Sequence, residues 1–370
     1  MVTIVGAGPA GLATAASLKR HGIAYRLLER GDSLGHSWVN LYDSLRLHTG
    51  KHLSHLPGYR FGSGTSLFPS REEFVRYLGD YARHFGIAVE TGKDVVAVSR
   101  TGDGWHVTTA DGESNDTTAL VMSTGIIANP KVPVLAGQDR FRGRVMHSVE
   151  YRRPNEFIGR RVLIVGVGNS GGEIGAELAR AGARVTVLVR SGANVVPLML
   201  AGFPIQYVAY VMRWLPRGAR ERIIGRVQRI MEKKHGPPVL PRPPHSALDA
   251  IPLIGFHLVE AIREGLIEVR RAGLSGLTET GARFSDGNEA DYDVVLLATG
   301  FAPALSPLGE SIRTDAKGFA IRSDRVTSAD QTGLYFVGHN YDSTGGLSNI
   351  RRDARLAAER IAQASTVPTG

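Results

Sequence analysis

Cysteine is absent from all 370 residues of the sequence. This absence excludes structural disulfides, thiolate metal sites and a cysteine nucleophile. It also excludes a redox-active dithiol, which restricts the acceptors to which an oxidoreductase of this sequence could pass electrons.

Long apolar runs are missing too, and none approaches the roughly 20 residues that a membrane-spanning helix needs. A strand pattern starts at the second residue, so we expect no signal peptide and a cytoplasmic location. No two histidines have the spacing of metal ligands on a helix, so we predict no metal site. The net charge is +9, but the basic residues are dispersed, with short clusters only at Arg217–Arg226 and Arg351–Arg360. This dispersion does not favour nucleic acid as a partner.

Glycine, by contrast, is abundant, and it forms two turns of the same kind. The segment GAGPAG follows the apolar strand Val2–Val5, and GVGNSG follows the strand Val162–Val165. Glycines at these spacings permit a tight turn, the approach of a pyrophosphate to the backbone, and close packing of helix on strand. The pyrophosphate then lies at the positive end of the helix that follows. We therefore predict two dinucleotide sites, with helices over Leu12–Lys19 and Glu173–Ala181.

The residues after the second strand of each repeat differ between the two halves. Tyr25–Leu28 ends at Glu29, whose carboxylate is placed to bind an adenosine ribose. Arg184–Val189 ends at Arg190-Ser191, and a guanidinium binds a 2′-phosphate where a carboxylate would repel it. The first half therefore suits FAD and the second suits NADPH.

The fold class is α/β, with two Rossmann-like dinucleotide-binding domains that each contain an inserted antiparallel β piece. Residues 1–155 and 301–370 are predicted to form the FAD domain. Residues 156–300 form the NADPH domain, with a helical insertion at about 192–252. The insertion contains an apolar run and a basic amphipathic helix, so it could be a substrate lid or a weak membrane-surface contact; the lid is favoured because the apolar run is short.

Two further regions are candidates for the flavin site. The loop 32–64 has little periodicity and contains Trp38 and His48, and a loop of this length is more often functional than idle. Near the end of the chain, Gly338 and Gly346-Leu347 lead into the final helix, whose N-terminus could approach a flavin ring closely.

Two dinucleotide sites in one chain imply hydride transfer from nicotinamide to flavin. Because no dithiol is available, the final acceptor is oxygen, a quinone, a carrier protein or a small organic molecule. The spacing of Phe141, Gly143, His147 and Tyr151, which fits FxGxxxHxxx(Y/F/W), resembles the fingerprint of class B flavoprotein monooxygenases. The stretches YDSLRLHTGKHLSHLP, FPSREEFVRYL and GVGNSGGEI are most similar to the YUCCA-type branch of flavin-containing monooxygenases.

The resemblance implies a reaction cycle. NADPH reduces FAD, oxygen adds to the flavin C4a to form a (hydro)peroxide, and one oxygen atom is inserted into a small organic substrate. In the family pattern, Asn169 and Ser170 contact the NADP pyrophosphate, and His147 positions the nicotinamide half. We take His48, His147 and Tyr151 as catalytic candidates. The cofactor-binding candidates are Gly6, Gly8, Pro9, Ala10, Gly11, Glu29, Arg30, Trp38, His48, Gly166, Gly168, Asn169, Ser170, Gly171, Arg190, Ser191, Gly300, Gly338, Gly346 and Leu347.

The alternatives concern the substrate and the acceptor. Tyr151-Arg152 replaces the Trp followed by Pro or Asp that is usual in Baeyer–Villiger enzymes, which favours the heteroatom-oxidising or YUCCA-like branch without excluding attack on a carbonyl. The substrate is then a thioether or amine, or a 2-oxo acid such as indole-3-pyruvate. The competing function is an NAD(P)H:flavin oxidoreductase that passes electrons to a quinone or carrier protein, and a non-enzymatic nucleotide sensor is a third hypothesis. A homodimer is also considered.

Overall fold

The structure is a computed structural model that describes residues 1–342 and 344–366, without the side chains of residues 235 and 366. The α-helices are α1 (Pro9–Arg20), α2 (His36–Val39), α3 (Lys51–Ser54), α4 (Arg71–Phe85), α5 (Asn169–Arg180), α6 (Ile205–Met212), α7 (Arg217–His235), α8 (His257–Arg263) and α9 (Gly346–Thr366). Short 3₁₀ helices cover Gln138–Arg140, Asn155–Phe157 and Ser306–Ser311.

The β-strands are numbered in chain order. They are β1 (Val2–Val5), β2 (Tyr25–Leu28), β3 (Val95–Thr101), β4 (Gly104–Thr109), β5 (Ser114–Thr117), β6 (Ala119–Met122), β7 (Arg144–His147), β8 (Arg161–Val165), β9 (Arg184–Leu188), β10 (Val195–Val196), β11 (Met199–Leu200), β12 (Phe203–Pro204), β13 (Leu253–Ile254), β14 (Ile267–Arg270), β15 (Leu274–Leu277), β16 (Gly281–Phe284), β17 (Glu289–Asp291), β18 (Val294–Leu297) and β19 (Leu334–Phe336).

The chain divides into two units. The first comprises Met1–Asn129 and the described residues from Phe301 onward, and the second comprises Pro130–Gly300. The expected boundary lay after residue 155. Residues 130–155 group with the second unit because β7 pairs with β18 in its sheet, with Arg144 opposite Val294. This short strand was not predicted from the sequence.

The first unit is built on a parallel sheet of order β19-β6-β1-β2. Ile4 of β1 lies opposite Leu27 and Val121, and all three side chains are fully buried because both faces of the sheet are covered. Helices α1, α4 and α9 contribute to the core on one face, where Leu12, Phe74 and Ala354 are buried. A separate antiparallel sheet, β3-β4-β5, places Trp105 in a second core cluster.

Helix α4 illustrates how local chemistry sets an element boundary. The Ser70 hydroxyl accepts from the Glu73 amide at 3.1 Å, and the Glu73 carboxylate accepts from the Ser70 amide at 2.8 Å. In the sequence, Ser70 followed three residues later by Glu73 predicts a capping box at a helix start, and the structure confirms it.

The second unit is built on a parallel sheet of order β14-β9-β8-β18-β7. An antiparallel sheet, β15-β16-β17, packs Phe284 into the same core cluster as Leu163 and Val295. Between β9 and β14 the chain forms the insertion, whose two ends pair in parallel as β10 and β13. The insertion contains the hairpin β11-β12 and the helices α6 and α7.

The α/β class is confirmed, and so are the strands and helices predicted at both glycine turns. Helices α1 and α5 begin at Pro9 and Asn169, earlier than predicted, because residues of the glycine turns already belong to the helices. Among the described residues, no helix combines the length and the apolar composition required to cross a bilayer. Within the same ranges, no group of three or more His, Asp or Glu side chains could hold a metal ion.

Candidate active site

The first glycine turn connects β1 to α1 through contacts that only glycine allows. Gly6 has φ +97°, and a Cβ at this position would lie 2.7 Å from the Ser123 carbonyl oxygen. A Cβ at Gly11 would lie 1.9 Å from the Gly6 carbonyl oxygen. At Gly8, in contrast, a Cβ would meet no atom of the described residues within 4 Å. The turn is therefore tightly packed toward the protein and open where a pyrophosphate would approach.

No side chain caps α1, and Pro9 at its first position has no N–H group to satisfy. Ala10 lies in this first turn and is buried. The positive end of α1 is thus available to an anion at the open side of the turn.

Glu29 occupies the end of β2 and is buried next to this turn. Its carboxylate accepts from the Ala7 amide at 2.8 Å and from the Gly31 amide at 3.0 Å. These bonds fix both oxygens and leave each with a free lone pair for a ribose hydroxyl. The neighbouring Arg30 is exposed.

The loop after β2 is tied to the same turn by the Gly35 amide, which donates to the Ala7 carbonyl at 2.9 Å. Trp38 in α2 is half-buried and packs edge-on against Phe74, with 4.6 Å between ring centroids. His48 is half-buried and lies just before α3.

The last strand of the first sheet also ends at the glycine turn. Gly338 has φ +87°, and a Cβ there would lie 3.1 Å from Cβ of Ala10. Helix α9 begins at Gly346, and Leu347 is buried beneath its first turn.

The second glycine turn repeats this geometry between β8 and α5. A Cβ at Gly166, which has φ +110°, would lie 2.6 Å from the Ala298 carbonyl oxygen. A Cβ at Gly171 would lie 2.3 Å from the Gly166 carbonyl oxygen, whereas one at Gly168 would meet nothing within 4 Å in the part of the chain that the structure describes. This turn, too, is open on one side only.

The first two side chains of α5 have different surroundings. The Asn169 amide group donates to the Pro252 carbonyl at 3.2 Å, and its oxygen accepts from the Ile254 amide at 2.8 Å. This side chain therefore fastens the end of the insertion to the N-terminus of α5. Ser170 makes no side-chain hydrogen bond to any part of the chain that the structure describes.

Arg190 and Ser191 follow β9 and are both exposed. Within the described residues, no ion pair or hydrogen bond engages the Arg190 guanidinium. All of its donors are thus available to an anion, as recognition of a 2′-phosphate requires.

Known proteins resemble this chain over most of its length. Residues 3–196 match the family described as pyridine nucleotide-disulphide oxidoreductase. Indole-3-pyruvate monooxygenase YUCCA8 of Oryza sativa subsp. japonica is 35% identical over 97% of this chain and 90% of its own length. Indole-3-pyruvate monooxygenase YUCCA6 of Arabidopsis thaliana is 34% identical over 97% of this chain and 89% of its own.

The chain belongs to the flavin-containing monooxygenase family, in its YUCCA-like branch. It is an FAD-dependent enzyme that oxidises NADPH and inserts one oxygen atom into a small organic substrate. This result favours the monooxygenase over the NAD(P)H:flavin oxidoreductase alternative.

A solved structure of a flavin-containing monooxygenase from Stenotrophomonas maltophilia has the same fold. It superposes with a TM-score of 0.76 at 24% identity and covers 99% of this chain and 98% of that one. Its length agrees with that of this monooxygenase, so the two-domain dinucleotide-binding architecture extends over the whole chain.

In this YUCCA-like monooxygenase the residues of the fingerprint are internal. A Cβ at Gly143 would lie 2.4 Å from the Phe141 ring and 2.6 Å from the Asp293 carbonyl oxygen. Tyr151 is fully buried, and its hydroxyl donates to the Glu177 carboxylate at 2.9 Å. The Tyr151 ring also packs against Phe157, with 5.7 Å between ring centroids, so this side chain joins α5 to the segment that follows β7.

His147 is also buried, and its two ring nitrogens have different roles. Nδ1 accepts from the Val149 amide at 3.2 Å, so the proton is on Nε2, which faces the Gly300 carbonyl at 3.2 Å. Burial lowers the pKa of His147, which keeps the imidazole neutral. This hydrogen bond fixes the carbonyl of Gly300, which is the last residue of the second unit and has φ +82°.

A buried polar network beneath α9 was missed in the sequence. The Asp353 carboxylate is fully buried and accepts from Arg325 Nε at 2.7 Å and from Asn340 Nδ2 at 2.6 Å. Arg325 also donates to Asn349 at 3.0 Å. Burial raises the pKa of Asp353, while both donors act in the opposite direction. The only local indication was Asn340 next to the Gly338 turn, because the partners are far apart in sequence.

Proposed function

We propose that this monooxygenase acts on a 2-oxo acid of the indole-3-pyruvate class and forms the carboxylic acid that is one carbon shorter. NADPH supplies the electron pair, one atom of O₂ enters the product, and the other leaves as water. The original carboxylate leaves as CO₂. The observation that carries this proposal is the identity of about one third to relatives named indole-3-pyruvate monooxygenases over nearly the whole chain.

The substrate is tested with FAD-loaded enzyme, NADPH and ¹⁸O₂. Indole-3-pyruvate should accelerate NADPH oxidation, and mass spectrometry should find one ¹⁸O atom in the shortened acid. An alkyl thioether and a tertiary amine serve as comparison substrates. If only these two accelerate NADPH oxidation and become oxygenated, the enzyme belongs to the heteroatom-oxidising group and the proposal fails.

We also propose that the first unit binds FAD and the second binds NADPH, each as a Rossmann-like domain with its own antiparallel piece. The fit at the first turn rests on the opening at Gly8 and on the fixed carboxylate of Glu29. At the second turn it rests on the opening at Gly168 and on the free guanidinium of Arg190. When bound, the two cofactors supply the hydride and the oxygen chemistry, and these residues hold and orient them.

The Arg190→Ala substitution tests the assignment of the second unit. A charged hydrogen bond is worth about 1.5–3 kcal/mol, so we expect the NADPH/NADH ratio of kcat/KM to fall by roughly 10- to 100-fold. The NADH rate should stay nearly constant and serves as the internal control. An unchanged ratio would overturn the assignment.

The three catalytic candidates receive different roles in this proposal. His48 lies in the loop that is tied to the first glycine turn, and we assign it to the flavin site. His147 and Tyr151 act as positioning residues: His147 as a neutral hydrogen-bond donor to Gly300, and Tyr151 as a buried anchor for α5.

A further inference from the structure

The insertion exposes apolar side chains at two places. The hairpin β11-β12 turns through Ala201 and Gly202, which both have positive φ (+49° and +82°), as in the tight turns of two-residue hairpins. Next to this turn Phe203 is 63% exposed. Val211, in the last turn of α6, is 70% exposed, and Trp214, just after α6, is 79% exposed. With Leu215, which is 40% exposed, these side chains form what we call the apolar rim.

The next helix along the chain, α7, is strongly basic. It contains seven arginine or lysine residues and two glutamates. Arg222, Arg226, Arg229 and Lys233 recur at helical spacing, so they share one face of α7, and all four are exposed. We call them the basic stripe.

The charges of the basic stripe are not neutralised by neighbouring carboxylates. Glu221 pairs with Arg217, and Glu232 pairs with Arg242, so both acids of α7 are engaged outside the stripe. Arg222 and Arg229 each donate from Nε to a backbone carbonyl one turn earlier, at 3.2 Å, which leaves their terminal nitrogens free. Within the described residues, no ion pair involves a member of the stripe.

We propose that the basic stripe and the apolar rim together dock this monooxygenase on an anionic lipid surface. Positive side chains next to exposed aromatic and aliphatic ones are the combination by which amphipathic segments bind the interface of a charged bilayer. A nucleic acid or an acidic protein would satisfy the stripe but would leave Trp214 and Val211 in water. The lid that the sequence favoured would use the rim but has no need of four unneutralised charges.

The first test is co-sedimentation of FAD-loaded enzyme with lipid vesicles. We expect binding to phosphatidylcholine vesicles that contain about one third phosphatidylserine, little binding to phosphatidylcholine alone, and loss of binding at high salt. The stripe variant carries glutamine at all four positions (Arg222→Gln, Arg226→Gln, Arg229→Gln and Lys233→Gln). Because each basic residue contributes about fivefold to binding, the loss of four should weaken binding at least about tenfold and by up to roughly 600-fold.

The matched control removes four exposed charges elsewhere, through Arg140→Gln, Arg160→Gln, Arg184→Gln and Lys317→Gln. It should retain most of the vesicle affinity despite the same change in net charge. Equal losses in the control and in the stripe variant would show that net charge alone drives binding and would overturn the proposal. Flavin absorbance of each variant reports whether it is folded and loaded.

Trp214 gives a direct readout of contact with lipid, because Trp105 is fully buried and Trp38 is half-buried. Anionic vesicles should shift the tryptophan emission of the wild type to the blue, and Trp214→Phe should abolish the shift while preserving binding. Trp214→Ser should weaken binding about tenfold, since it removes the aromatic side chain. Vesicle binding without any shift would mean that the rim stays in water.

Two further outcomes would assign this surface to something else. If neither vesicle type binds and Trp214→Ser changes kcat/KM in free solution, the rim belongs to a cover of the active site. If a labelled DNA duplex binds more tightly than anionic vesicles at the same salt, and Trp214→Ser leaves that binding unchanged, the stripe is a nucleic-acid site. Either result overturns the proposal.

Discussion

His339 is a buried histidine whose two ring nitrogens both lack a hydrogen-bond partner among the described residues. Its imidazole contacts the rings of Phe319 and Phe336 edge-on, with centroids 5.9 and 5.2 Å away. Burial, together with the nearby charge of Arg322, lowers its pKa to about 3. The folded protein therefore holds this group neutral at pH values where the unfolded chain binds a proton.

This difference predicts a loss of stability in acid. Between pH 6.5 and pH 3 the unfolded state carries more protons at His339, so the free energy of unfolding falls as pH decreases through this window. Well above pH 6.5 both states hold His339 neutral, and this group does not lower the free energy of unfolding. At pH 5.5 its protonation in the unfolded chain lowers the free energy of unfolding by about 1.4 kcal/mol. His339→Leu should remove this part of the decline, measured as urea unfolding at pH 7.5 and 5.5. An equally steep decline in the variant would contradict the prediction.

Tyr151 permits a test between catalysis and positioning. Tyr151→Phe removes the hydroxyl that donates to Glu177 but keeps the buried ring, so we expect a loss of about 1 kcal/mol in the free energy of unfolding. If Tyr151 only positions α5, kcat should change by less than about threefold. A fall in kcat of a hundredfold or more, with stability unchanged, would restore a catalytic role.

At the level of elements, the second glycine turn offers one substitution that should affect stability and another that should affect cofactor binding. A Cβ at Gly171 would collide with the Gly166 carbonyl oxygen, so Gly171→Ala should destabilise the enzyme by about 1–3 kcal/mol. Gly168→Ala meets open space and should leave stability within about 0.5 kcal/mol. It should nevertheless raise the KM for NADPH at least about tenfold, since its methyl group occupies the approach of the pyrophosphate.

Thermal unfolding and NADPH titration of the two variants measure both effects. Gly8→Ala in the first turn is the matched control, because it should leave the KM for NADPH unchanged and reduce FAD retention instead. Equal destabilisation by Gly168→Ala and Gly171→Ala, with no change in KM, would show that the opening at residue 168 is not a binding site.

Elements governed by local chemistry were the ones that the sequence predicted well. The glycine turns, the strands that precede them and the capping box at Ser70 depend on residues a few positions apart. Strand β7 was not predicted because its four residues do not alternate between apolar and polar and look like a loop. It forms a strand through its pairing with β18. The burial of Tyr151 was not predicted for a related reason, since its partner Glu177 is 26 residues away in the sequence. The network around Asp353 also depends on distant partners, so no spacing rule could find it.

At the scale of the whole molecule, the chain leaves the first unit at Asn129 and returns to it at Phe301. The Ala302 amide donates to the Asn129 carbonyl at 2.9 Å within the first unit. In the second unit, the Lys131 amide donates to the Gly300 carbonyl, also at 2.9 Å. The two crossing points are therefore adjacent in each unit.

This adjacency predicts that the first unit can be closed without the second. A chain in which a short Gly-Ser linker replaces residues 130–300 should fold and retain FAD, because Asn129 and Ala302 need no rearrangement. It should not oxidise NADPH. Flavin absorbance and circular dichroism check the first expectation, and residues 130–300 expressed alone should bind NADPH as the complementary control. A colourless or unfolded product would show that the first unit depends on the second.

The paired crossings also bear on how such an enzyme can change over time. The second unit is inserted into the first at two points that are close in space. A recombination event with breakpoints at these two points would exchange the whole second unit for that of another gene. On the proposed assignment of the cofactors, such an event would exchange the NADPH-binding unit and leave the FAD-binding unit unchanged.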